Sequence, residues 1–147
     1  MTTADTSAFR EFLRSIALFG GLEDSSLARI EAMLLRHSFP RDAVVCPEGE
    51  RGRSMFIVAS GEVEVRRANS QGVQVPIVRL GPGEFFGEMT LVEIQPRSAS
   101  VVVTEPATLH SMTSKDLYTL HQDVGLGVFQ VQGVEVLAGH RMERGRL

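Results

Sequence analysis

The sequence of 147 residues has few of the features that mark secreted or membrane proteins. It contains one cysteine, Cys46, which cannot form an internal disulfide bond, so a reducing compartment is expected. No apolar run approaches the roughly 18 residues that span a bilayer. The polar residues 1–7 lack the basic-then-apolar order of a signal peptide. These absences predict a cytoplasmic protein. Since a free cysteine usually behaves as a small apolar residue, Cys46 is expected to be buried in a strand.

Signals for catalysis, metal binding and nucleic-acid binding are missing as well. The formal net charge is −3, which argues against a nucleic-acid partner. The four histidines have no metal-ligand spacing, and no nucleophile motif or Gly-x-x-x-x-Gly-Lys-Ser/Thr loop occurs. We therefore expect no enzyme activity, no metal, no cofactor, and no nucleic-acid or membrane partner.

The N-terminal residues 8–36 have a helical pattern. Residues 8–19 predict an amphipathic helix with Phe9, Phe12, Leu13 and Ile16 on one face. A second helix, capped by Asp24 or Ser25, carries Leu27, Ile30 and Leu34 on one face.

From residue 37 the pattern changes to short β-branched runs between glycine and proline signals. Val63 and Val65 alternate with charged residues, as in a half-buried strand, and Pro76 indicates an edge or a bulge. Many short strands of this kind predict an antiparallel sandwich or barrel. The predicted strands are residues 43–46, 55–59, 62–66, 73–80, 98–103 and 108–112.

The stretch 81–101 has the composition of a site for a small phosphorylated ligand. Gly81, Gly83 and Gly87 permit turns and close backbone approach. A short helical turn over residues 88–92 would offer N–H groups to an anion, and Arg97 can add a guanidinium fork. Glu88 can accept hydrogen bonds from a sugar hydroxyl. Together these groups predict a nucleotide site.

The same stretch resembles the phosphate-binding cassette of cyclic nucleotide-binding domains. The resemblance rests on Phe86-Gly87-Glu88-Met89-Thr90-Leu91-Val92 followed by Pro96-Arg97-Ser98-Ala99-Ser100-Val101, with Thr90 where Ala, Ser or Gly is more usual. The family includes the catabolite activator protein, regulatory subunits of cyclic-AMP-dependent kinase and cyclic-nucleotide-gated channels. The resemblance implies that Glu88 binds the ribose 2′-hydroxyl and Arg97 the cyclic phosphate. It adds ligand contacts from Phe86, Gly87, Met89, Thr90, Ser98 and Ala99.

The resemblance also implies a fold: a mainly β protein with an antiparallel, jelly-roll-like β-roll of eight strands. N-terminal helices, a short phosphate-binding helix and a C-terminal lid helix would flank the roll. Residues 47–50 and 60–62 are similar to its early turns. Residues 1–147 would form one domain, with helices in 8–36, the roll in 37–112, the cassette in 86–101 and C-terminal helices in 113–147.

The sequence of the C-terminal segment fits the first of the two expected helices better than the second. Thr113 or Ser114 can cap a short helix that carries Leu117 and Leu120. Residues 125–144 stand in the place of the family's long helix, but each of their interior glycines costs about 1 kcal/mol there. Either packing overrides this weak propensity, or the helix is ordered only when ligand completes the pocket. The residue that covers the base would be Arg141, ahead of His140 and Met142, although a solvated basic helix end is an alternative.

The expected function is that of a stand-alone receptor for a 3′,5′-cyclic nucleotide. Ser98 keeps a hydroxyl next to Arg97, which permits cGMP, but cAMP is favoured. No room follows for the helix-turn-helix domain of the family's transcription factors, so the signal would pass from the C-terminal helix to a separate effector protein or through a homodimer. One alternative is a non-signalling interaction protein with an empty or constitutively filled pocket. Another is the regulatory fragment of a larger transcription factor or channel.

Overall fold

The computed structural model describes residues 3–16, 19–49, 54–87 and 99–124, and the backbone of residues 134–137 and 140–143. Of residues 3–6, too, only the backbone is described. A six-stranded antiparallel sheet forms most of this part of the chain, with helices beside it. The mainly β fold with N-terminal helices is therefore confirmed.

Three helices bury short apolar faces. α1 covers Thr3–Ser15, so it begins and ends earlier than predicted, and it buries Leu13. α2 covers Asp24–Met33 and buries Leu27 and Ile30. α3 covers Ser114–Val124 and buries Leu117 and Leu120, as the spacing of these leucines predicted.

The helix starts differ in how they are capped. Glu23 is the N-cap of α2 and makes no side-chain capping bond, so the predicted cap at Asp24 or Ser25 was wrong. Asp24 lies instead in the first turn, where its carboxylate is favourably placed against the helix dipole. At α3 the N–H of Asp116 donates to Thr113 Oγ1 over 3.1 Å, which confirms Thr113 as a cap.

Ion pairs between side chains connect the three helices. Arg10 Nε lies 3.0 Å from Glu31 Oε1 and links α1 to α2. Arg29 Nη2 lies 2.5 Å from Asp123 Oδ2 and links α2 to α3. Both pairs are solvent-accessible, so each contributes at most about 1 kcal/mol, and the apolar contacts beneath them dominate.

The main sheet has the order β1-β6-β3-β4, with β2 paired to β6 and β5 paired to β3. β4 is an edge strand, and its register shifts where Pro76 lies opposite Arg66, as predicted for this proline. The strands are β1 (Leu35–Phe39), β2 (Val44–Cys46), β3 (Ser54–Ala68), β4 (Gln74–Leu80), β5 (Phe85–Phe86) and β6 (Ser100–Thr113).

Two long strands replace four predicted short ones. Residues 55–59 and 62–66 belong to the single strand β3, and residues 98–103 and 108–112 contribute to β6. The predicted turn at residues 60–62 is instead a bulged part of β3, where the register to β6 shifts. Gly61 has φ +82°, a conformation that lets the strand bend without ending.

The apolar side chains form two cores. The first lies between the helices and one end of the sheet and includes Leu13, Leu117 and Phe85. The second fills the roll and includes Val63, Val65 and Phe86. Cys46 also belongs to the second core and is 3% exposed, as predicted for a small buried residue. β5 therefore contributes one phenylalanine to each core.

The C-terminal segment contains strands where a lid helix was expected. β7 (Val134–Leu137) pairs antiparallel with β8 (His140–Glu143). The prediction of a helix over residues 125–144 is therefore wrong at these positions. Val134 and Val136 are β-branched, and glycines at 133 and 139 flank β7 and disfavour a continuous helix. In these two segments, tertiary packing therefore does not override the weak helix propensity of the sequence.

Candidate functional site

The loop that leads into the cassette is hydrogen-bonded to the first third of β3. Gly83 N–H donates to Val58 O over 2.9 Å, and Val58 N–H donates to Glu84 O over 2.9 Å. Within the loop, Gly81 N–H donates to Glu84 Oε1 over 2.9 Å. Gly83 has φ +89°, so the predicted glycine turn is confirmed at this residue. These bonds set the direction in which the chain enters β5.

β5 holds the start of the cassette against the core of the roll. Phe86 pairs with Phe56 of β3, and their rings stack with centroids 5.3 Å apart and planes 18° apart. Phe86 is 1% exposed, so its side chain supports the site from inside the core. Its burial contributes about 1.5–3 kcal/mol to folding. Gly87 follows with φ +87°, which turns the chain out of the strand.

The far end of the cassette is also attached to β3. Ala99 is 6% exposed, Ser100 lies opposite Arg66, and Val101 lies opposite Val65. The described flanks of the cassette thus pair with the same strand, one near its start and the other near its end. β3 therefore sets the separation of the two flanks.

The remaining predicted ligand contacts lie outside the described residues. They are Glu88, Met89, Thr90, Arg97 and Ser98, together with the predicted short helix at residues 88–92. Of the predicted base-covering residues His140, Arg141 and Met142, the structure describes only the backbone, which forms β8. β8 pairs with β7, and β7 contacts β5.

A turn at residues 47–49 makes two hydrogen bonds beside the far flank that sequence reasoning did not predict. Glu48 N–H donates to Ser100 Oγ over 2.8 Å. The Glu48 carboxylate accepts a bond from Ala68 N–H over 3.0 Å. No local sequence signal could have shown these bonds, because the partners are 52 and 20 residues away along the chain.

A charged cluster on the other face of β3 was also missed. Val63 and Val65 point into the roll, so Glu64 between them points to the opposite face, where its side chain is only 7% exposed. Arg66 Nε donates to Glu64 Oε1 over 2.7 Å, and Arg79 Nε donates to Oε2 over 3.0 Å. The bond from Arg66 is the largest cause of the lowered pKa of Glu64; burial opposes it, and the bond from Arg79 adds to it.

This cluster lines a pocket of about 330 Å³ with Arg41, Asp42, Glu62, Thr104 and Glu105. Thr104 Oγ1 donates to Glu62 Oε1 over 2.7 Å. Arg79 also lies near the Glu62 carboxylate, with Nη1 3.6 Å from Oε1, so the charges of Glu62, Glu64, Arg66 and Arg79 are paired within the pocket. We interpret it as part of the sheet's outer surface, separate from the cassette.

Two histidines of neighbouring strands differ in environment. His37 Nε2 lies 2.7 Å from Ser111 Oγ, and His110 packs against Phe9 of α1 with ring centroids 4.9 Å apart. Burial lowers the pKa of His110, and the charges of Arg36 and His37 lower it further.

Among the described residues no cluster of His, Cys, Asp and Glu has metal-binding geometry. In that same part of the chain, no helix is long and apolar enough to cross a membrane.

Comparison with known proteins gives one consistent family. The model of the cyclic nucleotide-binding domain matches residues 36–123. A cyclic nucleotide-gated potassium channel from Mesorhizobium japonicum is 37% identical over 110 residues, which cover 75% of this chain and 29% of the channel. The chain spans half or less of the length of the first curated relatives that it matches.

Solved structures have the same fold. The catabolite activator protein of Thermus thermophilus aligns with a TM-score of 0.69 at 31% identity, over 74% of this chain and 51% of that one. The regulatory domain of Toxoplasma gondii PKA with cAMP aligns with a TM-score of 0.77 over 85% of this chain and 48% of that one. The identity to this second structure is 22%, so the likeness concerns the fold alone.

Proposed function

Because this chain belongs to the cyclic nucleotide-binding domain family, we propose that it is a receptor for a 3′,5′-cyclic nucleotide, with cAMP favoured over cGMP. The proposal rests on one observation, the cassette motif of residues 86–101, which runs from the end of β5 to the start of β6. Both strands pair with β3, so a single strand holds the two described flanks of the cassette.

The ligand contacts follow from the chemistry of the cassette. Arg97 binds the cyclic phosphate through its guanidinium fork, and Glu88 accepts a hydrogen bond from the ribose 2′-hydroxyl. Main-chain groups of Met89 and Thr90 add phosphate contacts, as do Ser98 and Ala99. The burial of Phe86 supports an indirect contribution, in which the ring anchors the loop instead of contacting the nucleotide.

The signal is proposed to leave through the C-terminal segment. Arg141, ahead of His140 and Met142, is the candidate to cover the base, because an arginine fork can stack on a purine. In support, β8 pairs with β7, which contacts β5 at the start of the cassette. Nucleotide would shift the population of this segment, and a separate effector protein or a second copy of the chain would read the change.

Isothermal titration of nucleotide-stripped protein with cAMP and with cGMP tests the proposal. We expect Arg97→Ala to weaken binding by about ten- to a hundredfold, the effect of losing a charge-assisted contact of about 1.5–3 kcal/mol. Arg41→Ala is the matched control, since Arg41 is an exposed arginine outside the cassette. It should bind like the wild type.

Four results would contradict the proposal. Equal affinity of Arg97→Ala and wild type would remove Arg97 from the site. Failure of folded wild type to bind either nucleotide, or copurified nucleotide that does not exchange, would favour a non-signalling interaction protein. The appearance of linear monophosphate during incubation would contradict a role in binding alone.

A further inference from the structure

The far flank of the cassette is held by more than sheet pairing. Ser100 follows Arg97 by three residues and is the first residue of β6. Its hydroxyl oxygen accepts the Glu48 N–H over 2.8 Å. The described pairing of β3 with β6 ends at the same place, with Arg66 opposite Ser100. A side-chain bond to another segment therefore marks the point where the ladder stops.

The same turn also binds β3 beyond the last pair of the ladder. Asn69 N–H donates to Val73 O, toward β4. Successive N–H groups of a strand point to opposite sides, so the N–H of Ala68 points toward β6. The Glu48 carboxylate accepts that N–H over 3.0 Å. One residue thus joins the end of β3 to the start of β6.

We propose that Glu48 and Ser100 are positioning residues for the ligand site, acting through the turn at residues 47–49. This inference rests on the proposed function, since it concerns how the cassette binds its nucleotide. The turn holds Ser100 in place relative to β3, and Ser100 determines where the chain carrying Arg97 leaves the sheet. A hydrogen bond between guanidinium and phosphate weakens steeply when its distance or angle changes. Loosening the turn therefore weakens phosphate binding although neither residue touches the ligand.

The test compares nucleotide affinity with stability in matched variants. Ser100→Ala removes one acceptor and Glu48→Ala the other, and each should weaken binding about three- to tenfold, the effect of one lost hydrogen bond. Glu48→Gln and Ser100→Thr keep an acceptor oxygen and should retain wild-type affinity. Because both bonds act through one turn, the Glu48→Ala, Ser100→Ala double variant should lose less than the product of the two single effects.

Asn69→Ala provides the control for a purely structural effect. Asn69 Oδ1 accepts the N–H groups of Gln71 and Val73 in the neighbouring turn, over 2.9 and 3.0 Å. This variant should lower the urea midpoint without changing nucleotide affinity.

The possible outcomes distinguish failure of nucleotide binding from failure of the positioning role. Wild-type protein that binds neither cAMP nor cGMP overturns the proposed function, and this inference with it. Wild-type binding that is unchanged in Glu48→Ala and Ser100→Ala overturns the positioning role alone. Affinity losses that track the urea midpoint equally in all variants, Asn69→Ala included, also overturn it.

Discussion

Gly61 offers the sharpest test of how β3 is built, through the substitution Gly61→Ala. Its φ of +82° lies in the left-handed region, which costs a residue with a β-carbon about 1–2 kcal/mol. A methyl group there would also overlap the carbonyl oxygen of Pro106 and lie 2.6 Å from Ala107 Cα. These neighbours are backbone atoms of β6, which cannot rotate away as a side chain can.

The magnitude is the sum of a conformational and a steric contribution. The steric part resembles overpacking of a core, which costs about 1–3 kcal/mol. Gly61→Ala should therefore destabilise the fold by about 2–5 kcal/mol. Gly72→Ala isolates the first contribution, because Gly72 has φ +79° and nothing within 4 Å of the added β-carbon. This control should cost only about 1–2 kcal/mol.

Urea unfolding followed by circular dichroism measures both variants against the wild type. We expect Gly61→Ala to lower the free energy of unfolding by at least about 1 kcal/mol more than Gly72→Ala does. Equal free energies of unfolding for the two variants would show that β3 and β6 do not approach closely at the bulge.

Two further predictions concern Glu64 and Thr113. Hydrogen bonding from Arg66 depresses the folded-state pKa of Glu64 below its ordinary value of 4.5, so its stabilising effect is complete above that pH and is lost as the pH falls below it. Glu64→Gln should lower the free energy of unfolding at pH 7 by about 1–2 kcal/mol, and this free energy should then fall less steeply below pH 4.5 than it does in the wild type. Urea titrations between pH 3 and 7 measure both effects. A pH dependence equal to that of the wild type would contradict the pairing of Glu64 with Arg66. Thr113→Ala should cost about 1 kcal/mol in the same assay by removing the cap of α3, and Thr113→Ser should restore most of it.

Local patterns in the sequence predicted the parts of the fold that depend on near neighbours. The alternation of Val63 and Val65 identified a strand with one face in the core, and the spacing of Leu117 and Leu120 identified α3. Pro76 indicated the edge position and the bulge of β4, because proline lacks the N–H that a central strand needs. The cassette motif indicated the family through its long and varied pattern of residues.

Features that depend on distant partners were beyond sequence reasoning. A glycine with positive φ occurs in turns and in bulges alike, so only the pairing of β3 with β6 shows that Gly61 belongs to a bulge. Glu64 is indistinguishable in sequence from a solvated strand residue, and its burial follows from the register that brings Arg79 beside it. At the C-terminus, the resemblance implied a helix for a segment whose valines favour strands and whose glycines disfavour a continuous helix.

The two phenylalanines of β5 have a consequence for the length of the chain around the cassette. Phe85 enters the core beside the helices and Phe86 enters the core of the roll. A slip of one residue would exchange their faces and bring Glu84 or Gly87 into a core position. The chain between Gly81 and Gly87 therefore tolerates neither insertion nor deletion, whereas the exposed loop at residues 69–73 can lengthen at little cost.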